Sequence, residues 1–517
     1  MKHYIGITIG PVFRTIEDAS SPAALWFASS AFSDLTRRMC DEILGGEDCF
    51  EDAVIYSPYY GQDIDLFDGV GKFHDRVIFS TDNFSEDKME RIIKKTKEGT
   101  SNIFPAYIVD DKTKAFLDSY LRILYVKLPE SMVAGQNCLL ALAPYLNALE
   151  IMVEFPESDF DSPFRKLFMG TEDYRNKYVK GSPLFKKIVN PKGDLLNEEN
   201  NFRNIEDIAS VSLKNTELKP QDYFAVVYAD GDSITSVLRK LPLSASIKDF
   251  SRGCFDYAES ASNLIKSFGG MCIYAGGDDL LFLAPVIGNR QQNIFSLCNE
   301  VSGILTEKLE NAGVHVSATV SFGISIQYYK YPLYEALDRA LSLLNTAKRE
   351  PKNNMAVLVE KHSGQLTGIV ISNNDYSEVE KLISIISQKG EKAATSVIYT
   401  IEKNMVVLSL LLENYIAKVQ AVSGDEMNLE NVRKSFLEVW RNFFDNPDQG
   451  SIKEYIDKLG AWIFDNMISY PIQLQALDYE NNPDNPGIKP ADIDARIVKL
   501  SSTMRLAKFL TEKRGER

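Results

Sequence analysis

Residues 274–285 read Tyr-Ala-Gly-Gly-Asp-Asp-Leu-Leu-Phe-Leu-Ala-Pro. An apolar strand runs into two glycines, two adjacent carboxylates and a second apolar strand. The pattern predicts a β-hairpin with Asp278 and Asp279 at its tip, where Gly276 and Gly277 let a phosphate approach the backbone. Adjacent acidic groups repel each other and call for a cation. Two hard carboxylates beside a phosphate-sized gap suit Mg²⁺ or Mn²⁺, and hence nucleotidyl transfer. Taken alone, the tetrapeptide fits a solvated turn just as well, so the surrounding chain decides.

Upstream, residues 223–229 form a β-branched and aromatic run that ends in Asp230-Gly231-Asp232-Ser233. Helical spacing fills 247–268, through Phe250, Cys254, Tyr257, Ala261 and Ile265. Strands are expected at 271–275 and 280–285, a helix over 289–312, a strand at 314–325, a helix over 331–348 and a last strand near 354–360. The order β-α-β-β-α-β, with an appended helix and strand, predicts a ferredoxin-like palm. There the first strand and the hairpin are central neighbours. Asp230 and Asp278, 48 residues apart, would face each other and make one metal site.

Residues 220–362 resemble the nucleotide cyclase and GGDEF superfamily. Val316-Ser-Ala-Thr-Val-Ser-Phe-Gly-Ile-Ser325 is similar to its fourth-strand signature. Glu335-Ala-Leu-Asp-Arg-Ala-Leu and Ala347-Lys-Arg-Glu-Pro-Lys-Asn353 are similar to its closing helix and lysine turn. The chain departs from diguanylate cyclases at Asp279-Leu280-Leu281 and at Pro351. The two-aspartate form resembles the large subunit of type III CRISPR effector complexes. Tyr4-Ile-Gly-Ile-Thr-Ile-Gly-Pro11 with Ser21-Pro-Ala-Ala-Leu-Trp-Phe-Ala-Ser-Ser30 narrows the resemblance to the opening palm of the Cmr (III-B) branch.

Read physically, 4–9 is a strand. Pro22 opens a helix that runs to about Leu44 and closes on Gly45-Gly46. Strands near 52–57 and 74–80 continue this first palm. Its linker Phe67-Asp-Gly-Val-Gly-Lys-Phe-His-Asp-Arg76 stands where an acidic turn would be. Its glycines and Lys72 fit a phosphate contact or a purely structural loop. The fold class expected is α+β: two ferredoxin-like palms, a helical linker and a C-terminal helical bundle. The expected domains are 1–155, 156–219, 220–372 and 373–517. Helices are expected at 377–388, 393–420, 428–444, 451–468 and 491–513, forming a bundle that docks small subunits. Trp440, Phe443, Phe444 and Trp462 belong to its core.

The chain has 517 residues, a net charge of −15 and six cysteines without a Cys-x-x-Cys pair. That argues against a general nucleic-acid binder while leaving room for local RNA contacts shared with partner proteins, leaves no zinc site expected and points to a reduced, cytoplasmic setting. No apolar stretch is long enough to span a membrane, and the start does not read as a signal peptide. With only four histidines, and His74-Asp75 read as a satisfied pair, the HD nuclease of many relatives and its DNase activity are not expected.

The resemblance implies further roles. Asp230, Asp278 and Asp279 would be catalytic and hold Mg²⁺ or Mn²⁺, with the Gly231 carbonyl as a further ligand. Gly276, Gly277, Gly231, Ser233, Lys348 and Lys352 would bind the nucleotide, the lysines taking the triphosphate. ATP would be the substrate. Target RNA bound to guide RNA and partner subunits would switch on an adenylate second messenger. The product would be a cyclic oligoadenylate, or AMP joined to S-adenosylmethionine. A catalytically silent scaffold and a diguanylate-cyclase-like enzyme are the alternative readings.

Overall fold

Residues 3–129 build a four-stranded antiparallel sheet, β1 (His3–Gly10), β2 (Val54–Ser57), β3 (Arg76–Thr81) and β4 (Arg122–Pro129), ordered β2-β3-β1-β4. The structure is a computed structural model. It describes residues 2–61, 69–133, 136–152, 162–188, 191–210, 219–241, 244–289, 292–387, 391–422, 426–444, 450–469 and 490–512. Helix α1 (Pro22–Gly45) follows β1, α2 (Glu86–Thr100) follows β3, and α3 (Cys138–Met152) follows β4. Ser21 caps α1 by accepting the Ala24 N–H at 3.3 Å, and Pro22 occupies the first turn, where its missing N–H costs nothing. The Ala-Ala-Leu-Trp-Phe-Ala run is buried all round. That explains why α1 carries so little amphipathic signal.

The second sheet repeats the plan. Its elements are β5 (Tyr223–Gly231), α4 (Ser244–Phe268), β6 (Met271–Gly276), β7 (Asp279–Pro285), α5 (Ile294–Asn311), β8 (Val320–Tyr328), α6 (Leu333–Ala347) and β9 (Asn354–Glu360). The order β6-β7-β5-β8 matches that of the first sheet, and β9 lies at the β8 edge. Both palms and the segment between them form one compact unit, Met1–Lys214 with Gln221–Ala356. One apolar cluster joins them, from Ile5, Trp26 and Phe27 to Ile273 and Leu281. Each large side chain so buried contributes roughly 1.5–3 kcal/mol. Polar stitches cross the same seam: the Ser29 hydroxyl donates to the Ile273 carbonyl at 3.0 Å, and the Ala275 N–H to the Gly71 carbonyl at 2.9 Å.

The second unit, Asn215–Pro220 with Val357–Arg517, continues β9, adds β10 (Leu366–Ser372) and goes on through helices α7 (Tyr376–Ser387), α8 (Glu391–Lys403), α9 (Met405–Ala421), α10 (Glu426–Arg441), α11 (Gly450–Ile463) and α12 (Pro490–Thr511). Trp440 is fully buried and donates its indole N–H to the Ile456 carbonyl at 2.8 Å; Trp462 does likewise to Glu378 at 2.9 Å. Trp440 and Phe444 are core residues, as expected, whereas Phe443 and Trp462 are half buried.

The sequence reading needs correction at three places. The strand expected at 314–325 begins only at Val320. Before it, the alternating Val-His-Val-Ser-Ala segment packs on α5 instead, and the Ala318 N–H bonds the Thr306 hydroxyl at 3.1 Å. The single helix expected over 393–420 is two helices bent by 79°. At the break the Asn404 amide donates to the Thr400 carbonyl at 2.9 Å, a side chain competing with the helical ladder. Strands β4 and β10 went unread, although β10 alternates exposed and buried residues along its length. Lys352 lies in the turn after α6, which ends at Ala347, as the lysine-turn reading expects. The turns read at 423–425, 446–448 and 481–489, and the basic residues 513–517, lie outside the described residues.

Candidate metal and phosphate site

Strand β5 pairs with β7 so that Ala229 lies opposite Leu280, and with β8 so that Asp230 lies opposite Ser321. Gly276 pairs with Asp279, which leaves Gly277-Asp278 as a two-residue hairpin turn. Gly277 takes φ +70°, a left-handed conformation that a side chain would strain. This register brings Asp230, Asp278 and Asp279 together, with one carboxylate oxygen of each within 4.8 Å of the others. Gly231 makes room for the approach: a Cβ there would stand 2.6 Å from Asp278 Oδ2.

The notch is crowded but open, with Asp278 half buried and Asp279 facing solvent. Lost hydration, then repulsion from Asp230, pushes the Asp278 carboxyl up to about 7. Lys348 supplies the nearest counter-charge. Its ammonium pairs with Asp230 and donates to the Gly231 carbonyl at 2.8 Å. Lys352 reaches the Ser233 hydroxyl at 3.2 Å, and Ser233 itself takes φ +56°. Three converging carboxylates against one ammonium fit a hard divalent cation, because all three oxygens can turn to a common centre.

Asp232 behaves differently from its neighbours. It is 4% exposed and accepts from the Thr319 and Ser321 hydroxyls at 2.8 and 2.9 Å and from the Asn353 N–H at 3.0 Å. It ties the end of β5 to β8 and to the lysine turn, and so holds Lys352 in place. The sequence offers a signal for this role only in retrospect: hydroxyl residues at 319 and 321 opposite an acid. Tyr257, read as helix-face core, is fully buried, yet its hydroxyl has no partner among the described residues. Burial and then the charges of Asp278 and Asp279 raise its ionisation well above the usual tyrosine range.

At the matching end of the first sheet, Ile9-Gly10-Pro11 carries no carboxylate. A cavity of about 550 Å³ opens there, lined by Thr8, Arg14, Glu17, Asp75, Arg122 and Glu150 among others. The Gly-rich loop, described from Gly69 onward, packs on the second palm. Gly71 bridges Tyr274 of β6, and Lys72 lies 5.5 Å over the Phe255 ring and 3.9 Å from Glu259. His74 shares a 3.0 Å hydrogen bond with Ser57 and accepts the Arg76 N–H at 3.3 Å. Burial holds it down to about 4, so it is a neutral, satisfied ring.

Residues 223–356 match the Cas10/Cmr2 second palm domain. A curated relative, the Cmr subunit Cmr2 of the Pyrococcus furiosus CRISPR system, is 28% identical over 210 residues, covering 35% of this chain and 23% of the relative. The match thus spans under a quarter of that relative's length. Among solved structures, the apo Csm1–Csm4 cassette matches with a TM-score of 0.52 and 12% identity, over 99% of this chain and 70% of that one. The family match is carried by the second palm, residues 223–356, and the match to the cassette shows a shared fold.

Proposed function

We propose that this protein transfers adenylyl groups from ATP to make a second messenger, as the large subunit of a type III-B CRISPR complex switched on by target RNA paired to guide RNA. The observation that carries the reading is the convergence of Asp230, Asp278 and Asp279 opposite Lys348 and Lys352. The three carboxylates would hold Mg²⁺ or Mn²⁺. When bound, the ion supplies charge neutralisation at the α-phosphate and acidifies an acceptor hydroxyl. Gly276 and Gly277 leave the hairpin backbone open to phosphate. Lys352 would take terminal phosphate oxygens, and Lys348 would turn from Asp230 toward the β-phosphate. Asp232 keeps the lysine turn in register with β5. Ser233 orients Lys352 through its hydroxyl. The first palm contributes no carboxylate at its strand tip, and its cavity would seat the acceptor.

The test uses the assembled complex with labelled ATP, Mg²⁺ or Mn²⁺ and matching target RNA, with and without S-adenosylmethionine, and products resolved by mass. Oligoadenylates from ATP alone assign the cyclic product. An adduct that appears only with S-adenosylmethionine assigns the conjugated one. No product under any of these conditions returns the chain to a silent scaffold, and GTP turnover in place of ATP returns it to a diguanylate-cyclase-like enzyme. No single helix among the described residues is long and apolar enough to cross a membrane. A cytoplasmic complex without zinc is the setting we propose.

A further inference from the structure

The second unit carries a cavity of about 200 Å³ that the palm chemistry does not use. It lies between the β9–β10 turn, α8 and the C-terminal half of α12. Lys361, Arg505 and Lys508 line it against a single lining carboxylate, Glu402. That acid is already engaged, accepting from Arg505 Nε at 2.6 Å and from the Ser501 hydroxyl at 2.8 Å. Lys361 pairs at 3.0 Å with Glu512, which is 9% exposed. Lys508 is half buried and has no ion-pair partner among the described residues. In a chain of net charge −15, this is a local excess of donors. A lysine in the last turn of a helix also complements the helix dipole. That accounts for Lys508 alone, not for three cations drawn from two separate elements around one cavity. On the rim, Tyr399 is 65% exposed.

We infer that this cavity binds a phosphate of single-stranded RNA, with the neighbouring base stacked on Tyr399. Cations around a phosphate-sized hollow with an exposed aromatic beside it make a backbone contact plus a sequence-tolerant stacking platform. The pairs Arg505–Glu402 and Lys361–Glu512 hold their cations in place, so little ordering is left to binding. The inference is independent of the palm reading, because no palm residue enters it.

The test is photo-crosslinking of a short thiouridine-bearing oligoribonucleotide to the full chain at low salt, with the site mapped by mass spectrometry. The expected adduct lies in the peptide containing Tyr399. Lys508→Glu should lower oligoribonucleotide affinity about tenfold and reduce the salt slope by about one unit. Tyr399→Ala changes an exposed side chain and should abolish the adduct while leaving the circular dichroism spectrum unchanged. Competition by AMP as strong as that by the oligoribonucleotide would reassign the site to a free nucleotide and overturn the RNA-strand claim. Adducts confined to other peptides, or affinity unaffected by both substitutions, would also overturn it, as would displacement by an acidic peptide without any RNA effect.

Discussion

The two palms share a strand order, β2-β3-β1-β4 and β6-β7-β5-β8, yet among the described residues only the second brings three carboxylates close enough to share a metal ion. In the second palm a two-residue turn at Gly277-Asp278 sets two acids against the end of β5. In the first palm the equivalent connection runs from Ser57 to Arg76, and part of it is spent on bracing β6 through Gly71. The same topology therefore frames the candidate site in one copy and a buttress in the other. Chemistry follows the length and composition of one turn, not the sheet.

The comparison can be broken most sharply at the hairpin. Replacing Asp278 and Asp279 with alanine should cut adenylate synthesis by the complex about a thousandfold, while size-exclusion profiles show normal assembly. Asp75→Asn at the corresponding first-palm position should leave Mn²⁺ binding by calorimetry unchanged. Metal binding lost with Asp75→Asn would place the site in the wrong palm. Next in size, Lys348→Ala should weaken ATP binding by roughly tenfold or more, since a charge-assisted contact is removed. Titration of the purified chain with ATP and Mn²⁺ reads that loss.

Asp232→Ala should destabilise the first unit by about 1–3 kcal/mol, because two hydroxyls and an N–H lose a buried acceptor. Denaturant midpoints measure it, and no change would remove the latch role. Gly277→Ala should cost about 1 kcal/mol through its left-handed backbone; the matching first-palm turn has no such requirement at His74. The smallest effect is on pH. Asp278 sits at about 7 in the folded chain against an ordinary value of 3.8, so the folded state holds an extra proton between those values. Stability in the absence of metal should therefore fall as pH rises through this window. Asp278→Asn should flatten that slope in thermal melts recorded from pH 4 to about pH 8.

How much of this was legible depends on where the signal was local. The acidic hairpin, the β5 run and the Ser21-Pro22 helix start are short-range patterns, each decided by a turn, an alternation or a cap, and all three read correctly. Strand β4 and the break at Asn404 were missed. One is a half-exposed strand whose pattern competes with helix spacing, and the other is a single side chain taking a backbone acceptor. The alternating 314–319 segment misled because its apolar residues pack on α5, a partner that alternation cannot name.

Residue order alone specified two palms, the acids and the lysines, because strand runs, glycine turns and charge types are properties of neighbours in the chain. Which acid faces the notch was decided only by folding. Strand alternation continued past Asp230 would put Asp232 on the same side, yet the chain leaves the strand path after Gly231. Asp230 meets Lys348, while Asp232 is drawn under Thr319 and Ser321. The partners that separate a candidate metal ligand from a buried latch come from β8 and the turn after α6, roughly a hundred residues downstream, and no local pattern contains them.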